Sequence, residues 1–179
     1  MKIMVFKKSK EIFDEVTMNR LWKIAKNNTV TNEQGLTVIP KGDEWEEEEW
    51  EDNLDEKEQD KIPKPQEIWY ANYPYEDNLS VQEDRPVLVL SSDKDNVLFM
   101  SMKITKNLDR YSKKISGDNR NNYDIPLWNW REEGLKYPSV ARVDKIMTIP
   151  KEQFRRKIGD ISRSDWRNIE RELKRISNT

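Results

Sequence analysis

The 179-residue sequence contains no cysteine and no histidine, and only five glycines. Without cysteine the chain has no disulfide, no thiolate nucleophile and no cysteine-ligated zinc site. Without histidine it lacks the usual general base, the Ser-His-Asp mechanisms and most catalytic zinc sites. An enzyme of this composition would depend on Arg, Lys, Tyr, Ser, Thr and carboxylates, or on a hard metal ion.

Phosphate-binding glycine loops and long apolar runs are missing as well. The sequence has neither GxxxxGK[ST] nor GxGxxG, which argues against a nucleotide-dependent enzyme, and no cofactor is predicted. No stretch approaches the roughly 20 apolar residues that span a bilayer, and the apolar run in the opening MKIMVFKKSK is too short for export. These patterns predict a soluble cytoplasmic protein with no membrane partner.

One block of acid carries most of the charge asymmetry of the chain. Residues 43–60, DEWEEEEWEDNLDEKEQD, contain twelve acidic residues and one lysine, a formal charge of −11. Because the whole chain carries −2, the remaining residues together carry +9. A mildly basic protein therefore contains one concentrated acidic segment, into which two tryptophans and a leucine are set.

The apolar patterning predicts a folded C-terminal domain after a looser start. It indicates one helix over 9–27 with Ser9 as its cap. Further along it predicts strands at 35–40, 68–74, 85–92, 96–105 and 139–149, a helical turn over 150–157, and an amphipathic helix that begins after Ser162. The predicted parts are an N-terminal extension (1–42), an acidic segment with a proline linker (43–65) and a domain over 66–179. The predicted fold class is mostly β, a small bent barrel closed by a C-terminal helix.

Four segments, in this order, resemble the MazF/PemK family of toxin endoribonucleases over residues 64–177. They are QEIWYANYP, RPVLVLSS, VLFMSMKIT and PSVARVDKIMTIPKEQFRRKIGDIS, the last followed by a helix. The stretch DIPLWNWREEGLKYPSVARVDKI is similar to a branch of the family with a long, tryptophan-bearing connection. The resemblance implies an SH3-like barrel, a homodimer, and metal-independent cleavage of single-stranded RNA at short motifs.

The family's catalytic pair, an arginine that opens the second strand and a threonine that ends the third, falls on Arg85 and Thr105. The chemistry is consistent with this assignment, because attack by the RNA's own 2′-hydroxyl needs in-line geometry and stabilised phosphoryl charge. A guanidinium can donate to two phosphoryl oxygens, and a hydroxyl can orient or relay a proton. Outside the family context, Arg85 would be an ordinary solvated strand end and Thr105 an ordinary β-former.

Several cations and two aromatic residues are candidates for binding RNA. The basic residues that follow the third strand suit a phosphate backbone; they are Lys103, Lys106, Arg110, Lys113, Lys114 and Arg120. A solvated lysine-rich loop is the alternative. Trp128 and Trp130 could stack unpaired bases, or could fill the core or a dimer contact. On the last helix Arg163, Arg167 and Arg171 indicate a solvent-facing side.

The sequence departs from the family pattern at three places. Gln66 stands where the family usually has glycine, and Met147 stands where it often has arginine. The loop over 75–84, YEDNLSVQED, lacks the family's glycines and carries acid, which weakens the attraction of RNA. The alternative function is therefore an inactive MazF-like barrel that acts as a regulatory binding module for protein or nucleic acid.

The acidic block resembles the acidic, aromatic tail with which antitoxins of this family cover the RNA groove. Trp45, Trp50 and Leu54 would be its anchors, and its carboxylates would mimic phosphates. The hypothesis is an autoinhibitory segment in cis, beside or in place of a separate antitoxin. The alternative is a disordered acidic linker, although disordered segments are usually poor in aromatic residues.

Overall fold

The computed structural model describes residues 13–31, 35, 37–38, 61–72, 84–106 and 123–178. The elements in chain order are α1 (Glu15–Asn28), β1 (Val30–Thr31), β2 (Thr37–Val38), β3 (Glu67–Asn72), β4 (Asp84–Ser92), β5 (Leu98–Thr105), β6 (Asp124–Pro126), β7 (Val140–Pro150), β8 (Phe154–Asp160) and α2 (Arg163–Ser177), with a 3-10 turn (Lys151–Gln153) before β8. Among these elements no helix has the length and apolarity needed to cross a membrane.

Six strands form one antiparallel sheet in the order β6-β7-β5-β4-β3-β8, and β1 pairs with β2 in a separate two-stranded sheet. Strands β4 and β5 are therefore central, with a hydrogen-bonded neighbour on each side. The mostly β fold class with its closing helix is confirmed, and within the described residues the sheet takes an open order.

The two faces of the sheet bury different sets of apolar residues. The helix face packs against α1 and α2, and its strand residues include Ile68, Leu88, Met100, Met102, Ile104 and Ile146. The opposite face, called here the site face, holds a smaller cluster of Trp69, Ala71, Val87, Val89, Phe99, Met147, Ile149 and Phe154. Sheets covered on both faces read as continuous apolar runs, which is why β4 shows no polar alternation.

The structure corrects two of the sequence-based predictions. The first helix begins at Glu15, because Asp14 caps it by accepting hydrogen bonds from the Thr17 backbone N–H (2.8 Å) and hydroxyl (3.1 Å). The prediction of Ser9 as the cap is wrong. The helical turn predicted over 150–157 is confined to 151–153, and the rest is strand β8. Three adjacent cations at 155–157 obscured the period-two pattern of β8.

Helix α1 contributes to the same core as the strands. Leu21 and Ala25, one turn apart, are fully buried, and Phe13 lies against Trp166 of α2 with ring centroids 6.0 Å apart. The four-residue spacing places both apolar side chains on the stripe that faces the sheet. The first helix is therefore packed into the domain rather than appended to it.

A group of polar side chains, called here the threonine clasp, ties the segment after α1 to the sheet. It consists of Thr29, Thr37, Thr148 and Gln153. The Thr148 N–H donates to the Thr29 hydroxyl (2.8 Å), and the Thr37 hydroxyl donates to the Thr148 carbonyl (2.8 Å). Strand β6 pairs with β7 only at 140–142, so these threonines satisfy backbone groups on the edge of β7 beyond β6.

The connection before β7 packs against the start of α2 through two buried carboxyl groups. Glu133 accepts from the Ser162 N–H (2.8 Å), and Asp165 accepts from the Asn129 N–H (2.9 Å). Gly159 permits this approach, because a Cβ there would collide with the Glu133 carbonyl oxygen. Burial raises the pKa of Glu133 to about 7; the Ser162 N–H opposes that rise, and the nearby Asp165 carboxyl group adds to it.

Replacing Leu21 by Ala is expected to destabilise the whole domain. The cavity left in the core lowers the free energy of unfolding by roughly 2–5 kcal/mol. The control is Lys23→Ala, an exposed change on the same helix to the same helix-favouring residue. Urea unfolding followed by tryptophan fluorescence measures both. Equal stability of the two variants would mean that α1 does not share the core.

Replacing Glu133 by Gln is expected to remove a pH dependence of stability. Because the folded-state pKa lies above the ordinary value of 4.5, protonated Glu133 stabilises the fold below pH 4.5, and this contribution is lost as the pH rises to about 7. The loss is on the order of 3 kcal/mol. The amide that Glu133→Gln introduces keeps an acceptor for Ser162 and does not titrate, so the unfolding free energy of this variant stays flat over the range.

The matched control for that measurement is Glu132→Gln, which changes the exposed neighbour. Unfolding free energies are compared at half-unit intervals between pH 4.5 and 8. A decline of equal size in Glu132→Gln and the wild type, absent in Glu133→Gln, is the expected result. An unchanged decline in Glu133→Gln would assign the titration to another group.

Candidate functional site

The ladder between β4 and β5 brings the two predicted catalytic residues together. Its register pairs Leu88 with Met102 and Val87 with Lys103. Arg85 and Thr105 each stand two residues beyond that last pair, and the alternation of side chains along a strand puts both on the face of Val87 and Lys103.

The pair occupies the middle of the sheet rather than an edge. Arg85 pairs on its other side with Ala71 of β3, and Thr105 pairs with Val140 of β7. Four strands therefore fix the backbone positions of these two side chains. A pair fixed in this way is preorganised, which is what stabilisation of a developing charge requires.

Both side chains are buried, at 2 % exposure for Arg85 and 1 % for Thr105. Lys103, opposite Val87 and hence on the same face, is also buried. Electrostatic interactions are stronger in such a buried environment than in water. The site face thus buries two basic side chains and a hydroxyl at the same end of the sheet.

A further ion pair on this face was not predicted from the sequence. Arg142 lies opposite Asp124 of β6, two residues along β7 from Val140, and the two form an ion pair of 3.7 Å. Arg142 also pairs with Asp144 at 3.3 Å. Asp124 could not be found from the pattern, since β6 has only three residues and no periodicity to read.

A second cluster of charge and aromatic rings lies at the same end of the sheet on its other face, because Tyr70 alternates with Trp69 and Ala71 of the site face. Tyr70 is buried; desolvation raises its pKa, while the Arg156 guanidinium, 4.6 Å from the ring centroid, lowers it. Asp84, directly before Arg85, forms an ion pair of 3.7 Å with Arg155. The ends of β3, β4 and β8 thus gather these charges on the face opposite Arg85.

Lys106 follows Thr105 and reaches an aromatic side chain that the sequence analysis did not select. Its Nζ atom lies 4.8 Å from the centroid of the Tyr137 ring, which is 44 % exposed. Cation–π contact of this kind is favourable within about 6 Å. The sequence of residues 135–138, Leu-Lys-Tyr-Pro, did not indicate this contact, because a single tyrosine before a proline forms no periodic pattern.

The two tryptophans proposed to bind RNA differ in their surroundings. Trp128 is 54 % exposed, whereas Trp130 is partly buried against the helix-face core and carries the Arg131 guanidinium 4.8 Å from its ring centroid. Trp130 therefore has a packing role of the kind given as its alternative. Trp128 offers an accessible ring.

The remaining predicted residues are either exposed to solvent or lie in parts of the chain that the structure does not describe. Arg163, Arg167 and Arg171 lie on the exposed side of α2. Arg110, Lys113, Lys114 and Arg120 of the basic stretch, and Trp45, Trp50 and Leu54 of the acidic block, all lie outside the described residues. Within the described residues no group of three or more carboxylates is placed to hold a metal ion.

Comparison with solved structures supports the architecture. A crystal structure of MazE-MazF (Form II) from Deinococcus radiodurans matches with a TM-score of 0.51 at 13 % identity, over 67 % of this chain and 99 % of that one. The Mycobacterium tuberculosis toxin MazF-mt6 gives 0.46 at 21 %, over 63 % and 96 %. An endoribonuclease in complex with its cognate antitoxin from Mycobacterial species gives 0.43 at 13 %, over 63 % and 92 %.

The first of these matches shows the fold alone, because its identity is low. No curated protein sequence matches the chain. A family model described as PemK-like, MazF-like toxin of type II toxin-antitoxin system matches residues 64–177, from the entry to β3 through the last turn of α2. That match spans more than half of the sequence, and the chain belongs to this toxin family.

Proposed function

We propose that the protein is a toxin-type endoribonuclease that cleaves single-stranded RNA at short motifs by 2′-hydroxyl attack, without a metal. The observation that supports the proposal is that Arg85 and Thr105 share one sheet face at the same end of the β4–β5 ladder in a chain of this toxin family. One of the solved structures that this chain resembles is named an endoribonuclease from Mycobacterial species.

The proposed reaction uses only groups that the site face presents. The 2′-oxygen attacks the adjacent phosphorus in line with the P–O5′ bond, which breaks. Arg85 donates to two non-bridging oxygens and stabilises the charge that accumulates there. Thr105 orients or relays the proton that leaves the 2′-oxygen, and the departing O5′ takes up a proton. The products are a 2′,3′-cyclic phosphate and a 5′-hydroxyl.

The burial of Arg85 bears on how such an enzyme would be restrained. At 2 % exposure its guanidinium meets an RNA phosphate only after the groups covering it have moved. A covered site is what we would expect of a toxin held inactive until its cover is displaced. The same burial favours the alternative function, a binding module whose Arg85 is only structural.

We infer that the acidic segment at 43–60 is one such cover. The Gln153 amide donates to the carbonyls of Thr37 (3.0 Å) and Asn72 (3.1 Å), and Asn72 pairs with Asp84, next to Arg85. The clasp thus holds Thr37, six residues before the acidic segment begins, near the site. Tethering of this kind raises the effective concentration of a weak ligand.

The partners of the proposed enzyme follow from the same family. A relative is solved with its cognate antitoxin, and we propose a separate antitoxin for this chain as well. The cation-rich site of this chain would attract both RNA and the acidic tail of an antitoxin, because both are negatively charged. A homodimer in the cytoplasm completes the proposal.

The Arg85→Ala variant is expected to lose cleavage by roughly 10²- to 10³-fold, the usual effect of removing one donor to a developing oxyanion. The matched control is Arg163→Ala, an exposed arginine on α2. Both full-length variants and the wild type are incubated with a long single-stranded RNA in EDTA. Cut sites are mapped, and the fragment ends are tested for cyclic phosphate.

Three results would contradict the proposal. Cutting that survives in Arg85→Ala would assign it to a contaminant or another residue. Cutting that stops in EDTA would require a metal ion. If no RNA is cut by the wild type or by a full-length protein whose glutamates at 46–49 are changed to glutamine, the inactive binding module is the better account.

Neutralising the acidic segment is expected to activate the enzyme. Changing the four glutamates at 46–49 to glutamine in the full chain weakens the attraction to the site, and the cleavage rate should rise about tenfold or more. The charge-matched control removes four exposed acids elsewhere: Glu15→Gln, Asp95→Asn, Glu132→Gln and Glu152→Gln. Equal rates for the two variants would make 43–60 a linker. The full chain is required, because removing the first 63 residues would also remove α1 from the core.

A further inference from the structure

Helix α1 has a basic side that the packing of the domain does not use. Arg20, Lys23 and Lys26 recur every three residues and are exposed, and residues three apart are neighbours on a helix surface. These three residues are called here the basic side of α1. The sequence has no acidic residue between positions 16 and 28. Among the residues that the structure describes, none of the three cations forms an ion pair.

The stability of the helix accounts for only one of these cations. Lys26 lies in the last turn, where a positive charge interacts favourably with the helix dipole. Arg20 and Lys23 lie in the middle of the helix and gain nothing from it. On α2 a basic side chain is neutralised within the helix, as in the Glu170–Lys174 ion pair (3.1 Å). The basic side of α1 has no such counter-charge on its own helix, and it therefore suits an anionic partner.

A pocket beside the basic side adds apolar surface to it. The pocket lies between α1 and the last turn of α2 and has a volume of about 310 Å³. The residues that line it are Arg20, Lys23, Ile24, Ile176, Ser177 and Asn178. Its two isoleucines are partly buried and pack against the helix-face core. A ligand that fits this surface has an apolar side chain flanked by acid, and an aromatic ring would also contact the cations favourably.

The direction of the chain after β2 brings such a ligand to this surface. Val30 pairs with Val38 in an antiparallel hairpin, so the chain that leaves Val38 heads back in the direction from which α1 arrives. The acidic segment at 43–60 begins five residues later, and Trp45 stands among its first acids. Seven residues separate Val38 from Trp45, and seven separate Lys23 from Val30. Because an extended chain advances roughly 3.3 Å per residue and a helix roughly 1.5 Å, Trp45 can reach Lys23.

A segment that lies on α1 cannot cover the catalytic pair at the same time. Helix α1 packs on the helix face of the sheet, through Leu21 and Ala25. Arg85 and Thr105 belong to the site face, on the other side. The two positions of the acidic segment therefore exclude each other.

We propose that the basic side of α1 and the adjoining pocket form a docking surface for the acidic segment at 43–60 of the same chain. Trp45 occupies the pocket, and the carboxylates next to it lie on the three cations. The effect of this docking rests on the proposed function: a segment on α1 leaves the catalytic site open, and a segment on the site closes it. Exposed ion pairs are individually weak, so the segment exchanges between the two positions.

Carbodiimide cross-linking of the wild-type full chain at low ionic strength tests the docking without any substitution. The reagent joins a lysine amine to a carboxylate that contacts it, and mass spectrometry identifies the joined peptides. We expect Lys23 and Lys26 to be joined to carboxylates of 43–60, and Lys94, an exposed control between β4 and β5, not to be joined to them. Absence of the α1 cross-links would overturn the docking. Cross-links between isotope-labelled and unlabelled chains would also overturn it, because they would assign the surface to the segment of a second copy.

Removing the three charges measures the effect of the docking on cleavage. In the full chain with Arg20→Gln, Lys23→Gln and Lys26→Gln, the segment loses its place on α1 and spends more time on the catalytic site. RNA cleavage should therefore slow by roughly three- to tenfold. In a protein with glutamine at 46–49, the same triple change should leave the rate unaltered, because the segment is then held weakly in either position.

The matched control removes three exposed arginines of α2, in the triple variant Arg163→Gln, Arg167→Gln and Arg171→Gln, and it should cleave like the wild type. An unaltered rate in the α1 variant, with faster cleavage after neutralisation of 46–49, would overturn the docking while the nuclease stands. A loss of rate that persists in the neutralised protein would overturn it as well. If no protein cleaves RNA, the proposed function fails, and the cross-links alone decide the docking.

Discussion

The antiparallel register between β4 and β5 is the constraint on which the site depends. It pairs Val87 with Lys103, and Arg85 and Thr105 lie two residues beyond that pair on the same face. A slip of one residue would turn the whole side-chain set of one strand to the other face. Two buried apolar clusters, one on each face, prevent such a slip. The packing that stabilises the fold therefore also specifies the chemistry.

The parts that could be predicted from the sequence are those with a local physical signal. Ser162 accepts from the Asp165 N–H as its capping pattern predicts, and α2 buries Trp166, Ile169 and Leu173 at the predicted spacing. Gln66 has a φ of 70°, in the left-handed region that glycine adopts without strain. The contacts of Tyr137 and Asp124 arise between distant segments, and no local pattern encodes them.

The N-terminal residues show the limit of taking a family match as a domain boundary. The match begins at residue 64, yet Leu21 and Ala25 of α1 are fully buried in the core that the matched strands form. In sequence, a high density of charge distinguishes the acidic block from the segments before and after it. In the fold, apolar packing joins the helix that precedes the block to the sheet that follows it. Met147 belongs to the apolar cluster of the site face.

The threonine clasp has a consequence for the order of synthesis on the ribosome. Thr29 and Thr37 bond to residues 119 and 116 positions further along the chain, at Thr148 and Gln153. Contacts of such separation form only after the late strands have emerged. Because it precedes Arg85 in the sequence, the acidic segment is always translated first. The first helix, in contrast, can pack into the core only near the end of translation, after the late strands have emerged. A nascent toxin would carry its own acidic counter-charge at every length at which its catalytic strands exist.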